Sequence, residues 1–512
     1  MSGVRRVRRA LISVADKTGL EELGRELRAL GVALVSSGTT SRTLQEAGVD
    51  ATPVSDVTGF PEMLDGRVKT LHPRIHAGIL ADRRLPEHEA QLEEHGIEPF
   101  DLVVSNLYPF REAVASGAAF DDVIEKIDIG GPTLVRAAAK NFESVGVVVR
   151  PERYADVMEE LRALGGLSRE TRLALAEEAF AHTASYDAAI SAWFAGRDDD
   201  RLPDFVGLAY DKAGDLRYGE NPHQRGALYA SAGGPGPFGG ARVLQGKEMS
   251  FNNWLDLDAA AGLAADLGPN ACVIVKHNNP CGAAVGSSLA ESYRRAFATD
   301  GVSAFGGIVA FSGEVDVEAA RAMAEVFTEV VVAPGFISDA RGAFAERKNL
   351  RVVEAPIARR PDLDIRPVLG GALVQDVDRI VESRDEMKAV SRREPSEEEW
   401  RDLLFAWTVA ARVKSNAIVF AKETATVGIG AGQMSRVDSA VLAVRKAGER
   451  ARGAVMASDA FFPFPDAVEV SADAGVTAVI HPGGSMRDEE VLGVAESRGM
   501  AVVVTGRRHF RH

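Results

Sequence analysis

The 512-residue chain is 46% hydrophobic with a formal net charge of −15, which suits an ordinary globular protein with room for roughly two to four full-sized cores. The negative balance disfavours non-specific binding to nucleic acid or a membrane surface, and no apolar run approaches the roughly 20 residues of a membrane span. Two cysteines in this length make no disulfide framework, and a reducing cytoplasm is the natural setting.

Residues 1–9 are basic but lack the apolar stretch of a signal peptide. From residue 10 onward short apolar strands alternate with amphipathic helices. Residues 10–14 read as a strand, Leu20, Leu23, Leu27 and Leu30 share one helical face, and residues 32–35 read as the next strand. This rhythm predicts a parallel sheet. Each strand runs into a polar turn. Ser13 and Lys17 follow the first, and Ser37, Gly38 and Thr40 follow the second at the head of a helix. Hydroxyls, a glycine and free N–H groups at a helix start suit an anion with Lys17 as countercharge, although a plain N-cap accounts for the serines as well.

Residues 59–73 have neither helical nor strand period and read as a loop that clusters Arg67, Lys69 and His72, with Thr70 between them. A long ordered loop in an α/β domain is more often functional than decorative. The strand 102–104 leads to Asn106 and Tyr108. Next, Asp128, Gly130, Gly131 and Pro132 precede a helix that runs to Lys140. Pro132 suits the first helical position, and the glycine pair leaves amides bare there, a second cradle for an oxyanion or phosphate. An Ala-rich helix over 171–194 ends in the charged run 197–203, closed by Pro203, which is the expected domain boundary.

Beyond that boundary, Arg217 and Tyr218 open a compact polar loop, and residues 233–240 form a Gly/Pro surface loop. Residues 271–275 read as a strand buried on both faces that ends in a polar turn bearing Lys276, His277, Pro280 and Gly282. In open α/β sheets ligands bind outside the carboxyl ends of strands. The adjacent ammonium disfavours a second positive charge, so His277 is expected as a neutral imidazole able to take a proton. His followed by Pro-Cys is reminiscent of zinc deaminases, but no Glu lies two residues after His277, and Cys272 and Cys281 are the chain's only thiols. Zinc is therefore not expected. Residues 303–311 read as a strand hinged at Gly306, and 330–335 as another. A charged stretch, 359–399, then separates a second set of strands at 413–420 and 427–433, whose plan echoes the Lys276 region and suggests an internal duplication. The aromatic and basic segments 458–464 and 502–512 are unlike a frayed tail.

Taken in order, the stretches 16–19, 59–73, 106–110, 128–131, 217–224, 276–282 and 459–464 resemble one family. It is the family of bifunctional purine biosynthesis proteins that join phosphoribosylaminoimidazolecarboxamide formyltransferase to inosine monophosphate (IMP) cyclohydrolase. The resemblance runs nearly end to end. It implies an α/β architecture: a methylglyoxal-synthase-like parallel-sheet cyclohydrolase domain over 1–197, then a duplicated cytidine-deaminase-like formyltransferase region over 198–512 with its internal junction near 360–400. The implied chemistry is formyl transfer from 10-formyltetrahydrofolate to 5-aminoimidazole-4-carboxamide ribonucleotide, followed by dehydrative ring closure to IMP.

By that resemblance His277 takes the proton of a poorly nucleophilic amine, Lys276 handles charge beside it, and Asn416 holds the formyl oxygen. Arg217, Tyr218 and Gly306 would hold the nucleotide, Arg508 would stand near its phosphate, and Asp459, Phe461 and Phe462 would line the folate side. For ring closure the matching residues are Lys69, Tyr108, Asp128 and Lys140, with the Gly130 and Gly131 amides available for charge. Ser13, Lys17, Ser37, Gly38, Thr40, Arg67, Thr70 and Asn106 would surround the nucleotide. Thr39 stands where the family usually carries a second glycine. A positive φ there would cost about 1 kcal/mol or more, so the turn is expected to be reshaped or its phosphate grip weakened.

The rival reading makes the first domain a module that only binds a phosphorylated ligand, as nucleotide-sensing domains of the same fold do. A proton-handling set such as Lys69, Tyr108, Asp128 and Lys140 argues against it, since binding alone does not need one. The family further implies small-molecule partners, no nucleic acid or membrane, a homodimer with a shared formyl-transfer site, and allows a structural potassium ion whose ligands the sequence does not name.

Overall fold

The computed structural model describes residues 3–197, 202–359 and 363–512. The chain divides into two compact units, Met1–Tyr210 and Asp211–His512. Residues 198–201 of the charged run, where the boundary is expected, lie outside the described residues, as do 360–362 of the charged stretch.

The first unit is built on a five-stranded, all-parallel sheet in the order Thr52–Pro53, Ala33–Ser36, Arg9–Ile12, Leu102–Val104, Gly146–Val148. Side chains of a strand alternate between faces, and here both faces are apolar: Ala10 and Ile12 join one core with Leu102 and Val104, while Leu11 and Val103 join the other. Burying each Val, Leu or Ile in this way is worth roughly 1.5–3 kcal/mol. The helix Leu20–Ala29 buries Leu20, Leu23 and Leu27 as expected. Leu30 does not join them. The chain turns left-handed at Gly31, φ 79°, and leaves Leu30 44% exposed. Because the strands are parallel, their carboxyl ends deliver Ser13, Ser37 and Asn106 to one edge of the sheet.

The second unit carries a twelve-stranded mixed sheet whose two halves have the same plan. From the centre outward, one half runs Asn279–Val285, Ala271–Lys276, Gly307–Phe311, Thr328–Ala333, Arg351–Glu354, Arg242–Gln245. The other runs Ala425–Gly430, Ile418–Lys422, Val455–Ser458, Ala478–His481, Ala501–Val504, Lys388–Ala389. The central strands meet at the pair Ala284 and Ala425. The helices Phe251–Leu267 and Glu397–Ala410 correspond as well, each opened by a serine capping box, at Ser250 and Ser396. This is the duplication expected from the sequence. One apolar core is common to both halves, with Leu257, Val273 and Val332 beside Trp407, Val419 and Ile480. Each half has a second core of its own on the opposite face.

Several boundaries differ from expectation. The turn after Lys276 is a hairpin that reverses at His277 and Asn278, so Pro280 and Gly282 belong to the returning strand. Pro280 has no N–H for the ladder, and the pairing shifts register beside it. Residues 301–304 form a helical turn, and the expected strand begins only at Gly307, after Gly306 with φ 73°. The second strand set begins at Ile418 rather than 413. Within the charged stretch, Leu363–Val368 and Gly371–Asp376 pair as an antiparallel hairpin.

Candidate functional site

In the first unit the carboxyl ends of the strands, the loop after Gly59 and the start of the helix Gly130–Lys140 enclose a cavity of about 640 Å³. Ser13, Ser37, Thr40, Arg67, Lys69 and Thr70 line it on one side. Asn106, Tyr108, Asp128, Gly130 and Gly131 line the other. Most of the ring-closure set is therefore brought together.

Buried polar groups in this cavity hold one another in place. Ser13 and Ser37 hydroxyls lie 3.0 Å apart. The Ala15 and Asp16 amides donate to Asn106 Oδ1 at 2.6 and 2.9 Å, which fixes the Lys17 turn. Lys17 Nζ donates to Thr40 Oγ1 at 2.9 Å and to the Val14 carbonyl. Burial and the nearby Lys69 ammonium hold the Lys17 ammonium below its usual range. The left-handed residue of the second turn is Gly38, φ 53°, whose missing Cβ leaves room for Lys69 Nζ. Thr39 lies inside the helix Gly38–Glu46 with no positive φ, so the strain considered for it does not arise.

Asp128 is the other electrostatic feature. Burial raises its carboxyl above the usual range, while hydrogen bonds from the Gly131, Tyr108 and Gly130 amides and the Lys69 charge pull the other way. Burial also raises the Tyr108 phenol, helped by Asp128 and Glu62, so it stays protonated near neutral pH. Asp128 Oδ1 accepts the Gly131 N–H at 2.8 Å. Both glycine amides expected to meet developing charge are thus already turned on the Asp128 carboxylate. Lys140 is not in the cavity. It ends the helix that Gly130 begins, about 15 Å away by helical rise, and is exposed. Arg67 pairs with Glu125, and Lys69 Nζ lies 3.6 Å from Glu62 Oε1.

In the second unit a cavity of about 310 Å³ is lined by Lys276, His277, Asn279, Ser303, Ala431 and Lys446, among others. Lys276 Nζ donates to the Phe305 carbonyl at 2.8 Å, directly before Gly306. His277 and Asn278 both have positive φ, 53° and 62°, the conformation a tight two-residue hairpin demands. Asn279 ties this turn to the next segment: its Nδ2 donates to the His277 carbonyl at 3.3 Å, and its Oδ1 accepts the Lys414 N–H at 2.9 Å.

That segment leads to Asn416, whose amide is fully engaged. Its Nδ2 donates to the Gln433 and Met434 carbonyls at 3.0 and 3.1 Å, and its Oδ1 accepts from Arg436 at 2.9 Å. Holding a formyl oxygen would require it to release one of these bonds. Asp459 is wholly buried, paired with Arg436 and accepting from Ser415 Oγ at 2.5 Å. Phe462 is a core residue packed against His481, so it offers no face to a flat ligand, whereas Phe461 is 36% exposed. Asp459 and Phe462 are therefore supports behind the surface. Arg217 stacks over Tyr218 at 5.7 Å, and their loop is held to the helix Phe251–Leu267 by Asn252, which donates to the Glu220 carbonyl at 3.2 Å. Arg508 is exposed and lies over Phe510. Both thiols are buried and shifted up, Cys281 to about 12, so neither is a nucleophile.

Comparison with known proteins decides the family. The model of the AICARFT/IMPCHase bienzyme matches residues 138–446, and that of the MGS-like domain matches 19–133. Relatives called bifunctional purine biosynthesis protein PurH match almost end to end. That of Anaeromyxobacter sp. (strain Fw109-5) is 52% identical over 99% of this chain and 100% of its own length. That of Desulfitobacterium hafniense (strain DSM 10664 / DCB-2) is 51% identical over 99% and 100%. That of Cereibacter sphaeroides (strain ATCC 17025 / ATH 2.4.3) is 52% identical over 99% of both. The chain belongs to the AICARFT/IMPCHase bienzyme family.

In this member of the bienzyme family, three supporting residues escaped the sequence reading. Asn279 stood in view beside His277, but its role depends on Lys414, far along the chain. Arg436 shows only as a basic residue at a helix start. Asp256 is one of three aspartates in its helix and nothing local sets it apart. It was detectable through the repeat, since Ser250 and Asp256 recur at the same spacing as Ser396 and Asp402.

Proposed function

We propose that this chain carries out the two reactions of its family with a division of labour along the sequence. It is a bifunctional formyltransferase and IMP cyclohydrolase of purine biosynthesis with a formyl-folate as cosubstrate. Residues 1–197 close the ring, and residues 198–512 transfer the formyl group, with 10-formyltetrahydrofolate as donor. The observation that carries the reading is the joint presence of two cavities, one with Lys69, Tyr108 and Asp128, the other with Lys276 and His277.

In formyl transfer the exocyclic amine is a poor nucleophile because its lone pair is delocalised into the ring and carboxamide. His277 takes its proton as the new C–N bond forms, Lys276 offsets the charge that develops, and tetrahydrofolate leaves. General base help of this kind is typically worth about 10²–10⁴-fold. Asn416, engaged by Arg436 and the Gln433 and Met434 carbonyls, holds that wall of the site. In ring closure the carboxamide nitrogen attacks the formamido carbon and the carbonyl oxygen becomes an oxyanion. Lys69 stabilises it, and Asp128 and Tyr108 move the protons that let water leave. Ser13, Ser37, Thr40 and Lys17 hold the nucleotide phosphate at the head of the helix Gly38–Glu46. The family also supports a cytoplasmic homodimer with a shared formyl-transfer site.

The test is a coupled assay that follows tetrahydrofolate and IMP separately. His277→Ala is expected to abolish tetrahydrofolate release and to leave closure of supplied formylated nucleotide intact. Loss of both activities in a folded variant would break the two-site assignment.

A further inference from the structure

The two copies in the second unit repeat one unusual device. In the first copy the hairpin reverses through His277 and Asn278, both left-handed, and Asp256 on the helix Phe251–Leu267 reaches up to it. Its Oδ2 accepts the His277 N–H at 3.1 Å, and its Oδ1 accepts the Asn278 N–H at 2.7 Å. In the second copy the hairpin reverses through Glu423 and Thr424, φ 53° and 57°, and Asp402 accepts their N–H groups at 2.6 and 2.8 Å. A left-handed residue other than glycine costs roughly 1–2 kcal/mol, and each hairpin has two in succession. A carboxylate that takes both amides offsets that cost with two charge-assisted hydrogen bonds.

The surroundings of the two turns differ. His277 lines an open cavity with Lys276. At the other hairpin Lys422 Nζ donates to the Arg452 carbonyl and Arg295 donates to the Glu423 carbonyl, so the chain itself engages the groups on either side of that exposed turn. The same helix that carries Asp256 also carries Asn252, one turn earlier, which holds the Arg217 loop through the Glu220 carbonyl. Two successive turns of one helix therefore fix the base and the loop assigned to the nucleotide.

We propose that Asp256 is a positioning residue for formyl transfer: its carboxylate locks the left-handed backbone of His277 and so aims the imidazole at the substrate amine. Asp402 does the same structural work at a turn with no catalytic side chain, and is the internal control. The inference rests on His277 as the base. A misplacement of about 1 Å at a reacting group costs on the order of 10²-fold, so a loosened turn shows in turnover before it shows in binding.

The experiment compares Asp256→Asn with Asp402→Asn in the full chain, beside His277→Ala. Each Asn substitution keeps the shape and removes one acceptor, so both variants are expected to lose a similar amount of thermal stability. Asp256→Asn should lower kcat of formyl transfer about 10-fold or more, with KM for the nucleotide within about 2-fold, whereas Asp402→Asn should leave kcat within about 2-fold. Should Asp256→Asn not stay folded, Asp256→Ser, which still accepts one bond, takes its place. Equal effects of the two variants on formyl transfer, in step with their stability, would overturn the positioning role while His277→Ala remained inactive. Formyl transfer surviving in His277→Ala would instead overturn the assignment of the base, and this inference with it.

Discussion

A carboxyl raised by burial, as Asp128 is, can lend a proton at a pH where an ordinary aspartate has none to give, and the Gly131 and Tyr108 amides together with the Lys69 charge limit the shift. Removing Lys69 takes away a charge that lowers the Asp128 pKa. Lys69→Met is therefore expected to move the alkaline limb of the ring-closure pH profile upward, because Asp128 then keeps its proton to higher pH, and to cut kcat by about 10²–10³-fold. A regulatory domain that only binds its ligand would show no turnover to lose. Buried histidines in the second unit give a further test. Burial alone would lower His509, but the hydrogen bonds its ring N–H groups donate to Asp378 and Glu382 and the charges of those carboxylates outweigh it, and its pKa is raised. Stability from a raised pKa is fully present below the unfolded value near 6.5 and is lost as pH rises through the folded one. His509→Gln should therefore lower Tm more at pH 6 than at pH 9 in thermal melts. Residues of this kind divide by legibility. Lys69 and His277 stand out in the sequence as basic groups in polar turns. Asp256, Asn279 and Arg436 act on backbone or amide groups far away along the chain, so only the folded geometry reveals them.

Elements that rest on local periodicity were legible: the strands of the first sheet, the helix carrying Leu20, Leu23 and Leu27, and the apolar run before Lys276. Elements that depend on a partner were not. Nothing local says that Pro280 and Gly282 lie in a returning strand rather than a turn. That follows from Gly282, where an added Cβ would collide with the Ala296 carbonyl of the helix Leu289–Thr299. Gly428 meets the Ala443 carbonyl in the same way in the second copy. Gly282→Ala should force helix and strand apart and destabilise the second unit by about 1–3 kcal/mol, read as a lower urea midpoint with an unchanged slope. Lys140 shows the converse, that closeness in sequence is not closeness in space. Its place on the same helix as Gly130 brings it near in sequence, yet the length of that helix carries it away from the cavity.

For the whole molecule, the homodimer proposed here predicts a sedimentation mass twice the 54.5 kDa of one chain. If the formyl-transfer site is shared, dilution below the dimer dissociation constant should reduce formyl transfer while ring closure persists. The duplication also has a bearing on how such a chain can change over time. The apolar layer common to both copies joins Leu257 and Val273 to Trp407 and Val419, and the central strands complete each other's hydrogen bonding through Thr426 and Ala283. A gene reduced to one copy would encode a polypeptide with half an oily layer open to water and an unpaired strand at its edge, a template for aggregation. The second copy has Glu423 and Thr424 where the first has His277 and Asn278, but it cannot be deleted. Neither half can close the shared interior alone, so substitutions that the second hairpin tolerates are ones that the layer beneath it does not.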